Sequence, residues 1–258
     1  STRVRSSAAS DVYKRQNLNY LKLSQMNENL DEILDYITKN NLSLTEGLIK
    51  LTQIEIDHRE KNMIKSMVKV GAFPHHKELR DFDFDFQSSI NKQQILDFET
   101  LRFIENCENI VFLGNSGVGK THLAVSIGIA AAKRRNSTYF IKCHDLIQQL
   151  KKANNENRLE DRLRHFTKYK VLIIDELGYL PINKDDAKLF FQLIDRRYEK
   201  RSTILTTNIN FSEWDEVFCD AVMANAILDR VLHHAHVVTI TGKSYRLKDH
   251  MKPNEEES

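Results

Sequence analysis

The 258-residue chain predicts an α/β protein. A parallel sheet flanked by helices holds a phosphate-binding loop, and a small helical N-terminal domain precedes it. Three observations carry this reading. From Asn109 onward, short apolar strands alternate with amphipathic helices, the pattern of a parallel sheet covered on both faces. A glycine loop, Gly114 to Thr121, lies between one such strand and a helix. Upstream, Leu30, Ile33, Leu34 and Ile37 recur at helical spacing.

The elements follow in order. Residues 1–25 have poor pattern and read as a disordered leader or a sequence scar, with Met26 a candidate natural start. Residues 26–75 form the helical N-terminal domain. Asn41 breaks its first helix, and Ser43-Leu44-Thr45-Glu46 has the spacing of a capping box at the start of the next. Residues 76–108 are the linker and entry to the core. Within them Asp81 to Phe86 alternates acid and aromatic, a short strand or an extended linker. The core spans residues 109–250. Its expected strands are Ile110–Leu113, Thr138–Cys143, Val171–Asp175, Thr203–Thr207 and Val237–Thr241. Helices are expected over Lys120–Arg135, Asp145–Lys152, Leu159–Lys168, Asp185–Lys200 and Ala221–Ala235. An acidic tail, residues 251–258, closes the chain.

Composition bounds the function. Hydrophobic residues make up 41%, enough for one good core and a small second unit. No uncharged apolar run approaches the ~18 residues of a membrane span. Net charge is +2, so any nucleic-acid surface must be a local patch. The three cysteines, Cys107, Cys143 and Cys219, have no disulfide or metal spacing, which points to a reducing, cytoplasmic setting.

The loop carries the chemistry. The chain has 8 glycines, and three of them, Gly114, Gly117 and Gly119, fall within one six-residue stretch, so the spacing is not incidental. Glycines let successive backbone N–H groups of Gly114, Asn115, Ser116, Gly117, Val118 and Gly119 turn inward toward phosphates. The helix that follows adds its positive dipole end. Lys120 is placed to reach the β- and γ-phosphates of ATP, and the Thr121 hydroxyl to ligate Mg²⁺, with His122 next in the segment.

Val171 to Ile174 is an apolar strand ending in Asp175 and Glu176. At the carboxyl edge of the sheet, Asp175 is positioned to hold Mg²⁺ and Glu176 to activate the attacking water. Ser202 to Asn208 is a second such strand, and Asn208 is a candidate sensor of the γ-phosphate or a turn residue. Arg230 on the late helix and Arg246 after the last strand are candidates to stabilise charge in phosphoryl transfer, in cis or from a neighbouring subunit; the alternative for each is a surface arginine or a structural ion pair. Trp214 and Phe218 read as packing residues.

The string of motifs resembles the IstB family of insertion-sequence ATP-binding proteins. It comprises Gly-Asn-Ser-Gly-Val-Gly-Lys-Thr-His-Leu-Ala, Ile-Ile-Asp-Glu-Leu-Gly-Tyr-Leu-Pro, Thr-Thr-Asn, Asp-Arg-Val-Leu-His-His-Ala and Gly-Lys-Ser-Tyr-Arg. The resemblance covers roughly Leu30 to Asp249. It implies a P-loop AAA+ core and an ATP hydrolase that assembles as a homo-oligomer on double-stranded DNA and assists a partner transposase. The related DnaC-type loaders make a replicative helicase the alternative partner. By resemblance Asn208 takes the sensor-1 role, Arg230 the arginine-finger role and Arg246 a sensor-2-like role.

The resemblance also places an extra helical element after the second strand, here with Lys151, Lys152, Arg158, Arg162 and Arg164 as candidate DNA contacts. Arg59, Lys61, Lys65 and Lys69 share a helix side and are a second candidate; the alternative is a solvated helix face. The histidines at His75, His76, His233, His234 and His236 have no cysteine or carboxylate set at metal-binding spacing, so no metal is expected there.

Overall fold

The structure, a computed structural model, describes residues 12–246. The chain divides into two compact units between Lys65 and Ser66.

In the first unit residues 12–20 are helical, followed by α1 (Ser24–Glu28), α2 (Leu30–Lys39) and most of α3 (Leu44–Val70). Met26, Ile33 and Leu51 form its core, with Leu18, Leu23, Ile37 and Ile54 packed around them. The expected capping box is present: Ser43 N donates to Glu46 Oε2 at 2.8 Å, and Glu46 N to Ser43 Oγ at 3.2 Å. Residues 12–25 are not a disordered leader. Leu18 and Leu23 join the core, and Arg15 donates to the Asn27 carbonyl at 3.0 Å and to Asp31 at 2.5 Å. The rest of that leader, and the acidic tail, lie outside the described residues.

The boundary expected at residue 75 also shifts. The division falls inside α3, because the segment just after it joins the sheet: Phe140 N donates to the Gly71 carbonyl at 2.8 Å, and Phe73 packs on the core. Residues 76–108 are likewise core rather than linker. Leu79, Ile90, Ile95, Phe98, Leu101 and Phe103 are buried there. Their helices are α4 (Lys92–Phe98) and α5 (Arg102–Glu105). The Asp81–Phe86 stretch is a 3-10 turn over Leu79–Asp81 followed by further turns, not a strand. Its acids close those turns on their own backbone: Asp81 Oδ2 accepts from Glu78 N at 2.8 Å, and Asp83 Oδ1 from Phe86 N at 3.0 Å.

The second unit carries a five-stranded sheet. Its strands are β1 (Asn109–Gly114), β2 (Thr138–Lys142), β3 (Val171–Leu177), β4 (Ser202–Thr207) and β5 (Ala235–Ile240). All pairings are parallel, in the order β2-β3-β4-β1-β5. The phosphate-loop strand and the acidic strand are therefore not neighbours; β4 lies between them. The period-2 side-chain alternation splits the core into two layers. Val111, Leu172, Ile174 and Leu205 face α7 (Cys143–Asn155), α8 (Leu159–Thr167), α9 (Lys184–Arg197), α10 (Trp214–Phe218) and α11 (Ala221–Leu232). Ile110, Phe112, Ile173 and Ile204 face α6 (Lys120–Lys133) and the residue 76–108 segment. Trp214 and Phe218 are fully buried, as their packing role requires.

Two packing details matter later. Gly128 of α6 lies directly over the sheet: a Cβ there would meet Ile173 Cδ1 at 2.5 Å and Phe73 Cε1 at 2.9 Å. Arg197, the last residue of α9, is wholly buried with carbonyl and hydroxyl partners. Its guanidinium donates to the carbonyls of Phe166 (2.9 Å), Tyr169 (3.0 Å) and Ser202 (2.5 Å) and to Thr203 Oγ1 (3.1 Å). Burial pushes its pKa down to about 9, so it remains charged at neutral pH.

Candidate functional site

Strand β1 runs into the glycine loop and the loop into α6, so the loop's N–H groups meet the N-terminal end of a 14-residue helix. Gly117 (φ +81°) and Gly119 (φ +101°) occupy left-handed backbone that glycine alone adopts without strain. Space is equally tight. A Cβ on Gly117 would meet Ser244 Oγ at 2.1 Å, and one on Gly119 would meet the Phe82 ring at 2.6 Å. Tyr245 N donates to the Gly117 carbonyl at 2.9 Å, so the segment after β5 straps the loop from its own chain.

Lys120 Nζ donates to the carbonyls of Gly114 (2.7 Å) and Asn115 (2.8 Å) and lines the cleft above them. Burial lowers its pKa, Asp175 pulls it back up, and nearby Arg246 adds to the lowering. Thr121 Oγ1 donates to Asp175 Oδ1 at 2.9 Å, which joins the start of α6 to β3 across the intervening strand. Thr206 of β4 closes the gap. Its hydroxyl donates to Asp175 Oδ1 at 2.5 Å and accepts the Glu176 amide at 2.9 Å. Burial raises the pKa of the 1% exposed Asp175 carboxyl, and the two hydroxyl bonds oppose the shift.

Glu176 lies near the end of β3 with φ +60°, inside the register shift between β3 and β4. Its carboxylate is half-exposed, and Lys142 Nζ, from the end of β2, lies 3.0 Å from Oε2. Ser116 to His122, Asp175, Glu176, Asn208 and Arg246 line one cleft of about 680 Å³. Gly114 and Asn115 lie beneath it and hold Lys120. His122 turns to the wall: it sits 3.2 Å from the Glu78 carbonyl, edge-on to Phe82, and burial lowers its pKa. The cleft can hold a polyphosphate through amide and ammonium donors, and it presents a carboxylate half-open to water at the same place.

A sequence model of the family described as IstB-like ATP binding protein matches residues 16–253. The chain belongs to that family. It is 73% identical over 234 residues to the insertion sequence IS232 ATP-binding protein of Bacillus thuringiensis subsp. berliner, covering 91% of this chain and 94% of the relative. It is 44% identical over 229 residues to the insertion sequence IS5376 ATP-binding protein of Geobacillus stearothermophilus, covering 89% and 91%. Among solved structures, the fold is similar to DnaI (TM-score 0.55, 22% identity, 69% of this chain and 94% of that one). It is also similar to the DnaC helicase loader (TM-score 0.52, 24% identity, 69% and 99%). A third likeness is AMPPCP-bound DnaA from Aquifex aeolicus (TM-score 0.53, 20% identity, 71% and 59%). These likenesses establish the AAA+ fold. This IstB-like chain is an ATP-binding P-loop ATPase.

Other expected residues of the IstB-like chain lie apart from the cleft. Arg230 is on α11, where its Nε donates to Asp195 Oδ1 at 2.6 Å and its guanidinium lies 4.6 Å from the Phe191 ring centroid. It does not line the cleft. The candidate DNA contacts of α7 and α8 are mostly engaged locally. Lys151 lies 3.4 Å from Asp186, Arg158 pairs with Glu156, Arg164 lies 3.5 Å from Asp161, and Arg162 rests over the Phe166 ring. Lys152 and Lys65 are exposed. Arg59 is bound within the first unit, to Glu55 at 2.8 Å and the Lys22 carbonyl at 2.6 Å. Half-exposed pairs of this kind are weak enough to exchange for phosphate. Thr206 and Lys142, which bond the acidic pair in the cleft, are not singled out by the sequence. The polar end Thr206-Thr207-Asn208 was the available signal for the first. A lysine at a strand end gave none for the second.

Among the described residues no helix is long and apolar enough to cross a membrane.

Proposed function

We propose that this chain is a DNA-bound insertion-sequence ATPase that works as a homo-oligomer and assists a partner transposase. The observation that carries the reading is the separation of Arg230 from the cleft. Lys120, Thr121, Asp175, Glu176 and Asn208 are gathered in one chain, whereas Arg230 lies outside on α11. A second subunit packed against the cleft supplies that arginine in trans, which ties turnover to assembly.

Asp175 and Thr121 offer two hard oxygen donors 2.9 Å apart, the donor type that suits Mg²⁺. When bound, that ion neutralises charge on the β- and γ-phosphate oxygens. Lys120 exchanges its two loop carbonyls for those phosphates. Glu176 takes the proton of the attacking water, and Asn208 orients the water or senses the γ-phosphate. Arg246, beside Lys120 on the same chain, contacts the nucleotide in cis.

DNA is held through phosphates by Lys151, Lys152, Arg158 and Arg162, with Arg59 and Lys65 a second patch, so binding weakens steeply with salt. The transposase reading is preferred over a replicative helicase loader because relatives at 73% and 44% identity are insertion-sequence proteins. The loader likeness, at 24% identity, extends to the fold. Three free cysteines fit a cytoplasmic setting.

The test is the mass of the full chain in solution, with and without duplex DNA and a non-hydrolysable ATP analogue. A DNA-bound oligomer that requires nucleotide is expected. A monomer under every condition overturns the reading.

A further inference from the structure

The fold brings a carboxylate from another helix end to the adjacent histidines His233 and His234. Glu199 lies just beyond the C-terminal end of α9, and His233 caps the C-terminal end of α11. Glu199 Oε1 is 3.3 Å from His234 Nε2 and 3.9 Å from His233 Nδ1, and one ligating atom from each of the three residues lies within 4.8 Å of the others. We propose that Glu199, His233 and His234 form a zinc site joining the ends of α9 and α11.

The spacing fits the ion. Zinc bonds of ~2.0–2.1 Å in a tetrahedron set neighbouring ligand atoms about 3.3 Å apart. One edge of the triangle already has that length. The other two close by side-chain rotation, which is open to them because all three side chains are about half exposed. Two neutral imidazoles and one carboxylate favour zinc over magnesium or calcium, which select oxygen donors. The fourth position is left to water, as in sites with three protein ligands.

The surroundings prepare the ligands. Glu199 adopts φ +55°, and this left-handed turn carries its carboxylate back toward α11. The Tyr198 ring stacks on His233 with centroids 5.8 Å apart, and its hydroxyl lies 2.5 Å from Nδ1. Zinc at Nδ1 replaces that hydroxyl, while the stacked ring continues to fix the imidazole plane. The site lies about one helical turn beyond the Asp195–Arg230 pair on the same two helices. Occupancy therefore clamps the end of the helix that bears Arg230.

The experiment titrates untagged, chelator-stripped full chain with zinc chloride by calorimetry and follows thermal unfolding in parallel. One zinc per chain and a raised Tm are expected. Glu199→Gln and His234→Ala each weaken binding by roughly tenfold or more and remove the Tm increase, whereas exposed His76→Ala leaves both intact. Lys120→Ala also retains zinc uptake, which separates this site from the phosphate cleft. Absence of saturable uptake overturns the proposal. So does uptake that is unchanged in Glu199→Gln and His234→Ala, or lost in His76→Ala. Cobalt supplies an independent readout: tetrahedral absorption bands appear in the wild type and vanish in the two ligand variants.

Discussion

Lys142 Nζ lies 3.0 Å from Glu176 Oε2, so the candidate base for water activation is held by a cation from the end of β2. The contact raises the lysine pKa, chiefly through its hydrogen bond to Glu176. While that contact holds, the ammonium occupies Oε2, and this oxygen is not free to meet the attacking water. Lys142→Met should therefore raise ATP turnover without DNA several-fold, whereas Glu176→Gln should bind ATP and hydrolyse it very slowly. Phosphate release measured on both variants separates the roles. A fall in turnover for Lys142→Met would instead place that lysine on the nucleotide.

Asp175 links fold stability to pH. Its folded-state pKa is raised, foremost by burial, so the folded chain holds the proton more tightly than the unfolded chain. Stability from this group is present below the raised pKa and is lost as pH climbs through it, starting from the ordinary 3.8. Asp175→Asn is neutral at every pH and should raise Tm at pH 7 by a few degrees while abolishing Mg²⁺-dependent ATPase. The Tm difference should shrink as the pH is lowered. A lower Tm at pH 7 would contradict the burial argument.

Thr206 uses one hydroxyl to serve two groups, Asp175 and the Glu176 amide. Thr206→Val keeps the shape and removes both bonds. A loss of about 1–2 kcal/mol in chemical denaturation is expected from the stranded partners, together with reduced turnover. Thr206→Ser should restore most of both. Turnover in the valine variant equal to wild type would show that the acidic strand end is positioned without it.

Arg230 should act between subunits. Arg230→Ala is expected to lose ATPase activity alone and to regain part of it when mixed with Lys120→Ala, since each supplies what the other lacks. Mixed oligomers that form but stay inactive would remove Arg230 from the neighbouring site.

Much of this architecture is legible in the sequence because it is periodic. Ile110 to Leu113 and Val171 to Ile174 are apolar runs that can only be buried strands, and the loop follows one of them. Sheet order is a different matter. No local pattern says that β4 lies between β1 and β3, and without that fact Thr206 has no reason to touch Asp175. Asp81 to Phe86 misled for a related reason. Acid–aromatic alternation has the period of a strand, but Asp81 and Asp83 bond their own backbone and close turns instead. Glu199 and the His233-His234 pair lie far apart in the chain and meet through the packing of α9 on α11.

Gly128 has a genetic consequence. In Gly128→Ala, the new methyl collides first with Ile173 Cδ1, the tip of a side chain, and not with backbone. A second-site change of Ile173 to Val deletes that tip and leaves the Phe73 ring, at 2.9 Å, to shift by a few tenths of an ångström, so selection for revertants should recover suppressors at codon 173. Gly117 offers no such escape. Removing the Ser244 hydroxyl relieves the crowding but leaves a φ of +81° that alanine cannot adopt cheaply. The helix that opens with Lys120 and Thr121 is thus revertible at its middle and unforgiving at the loop before it.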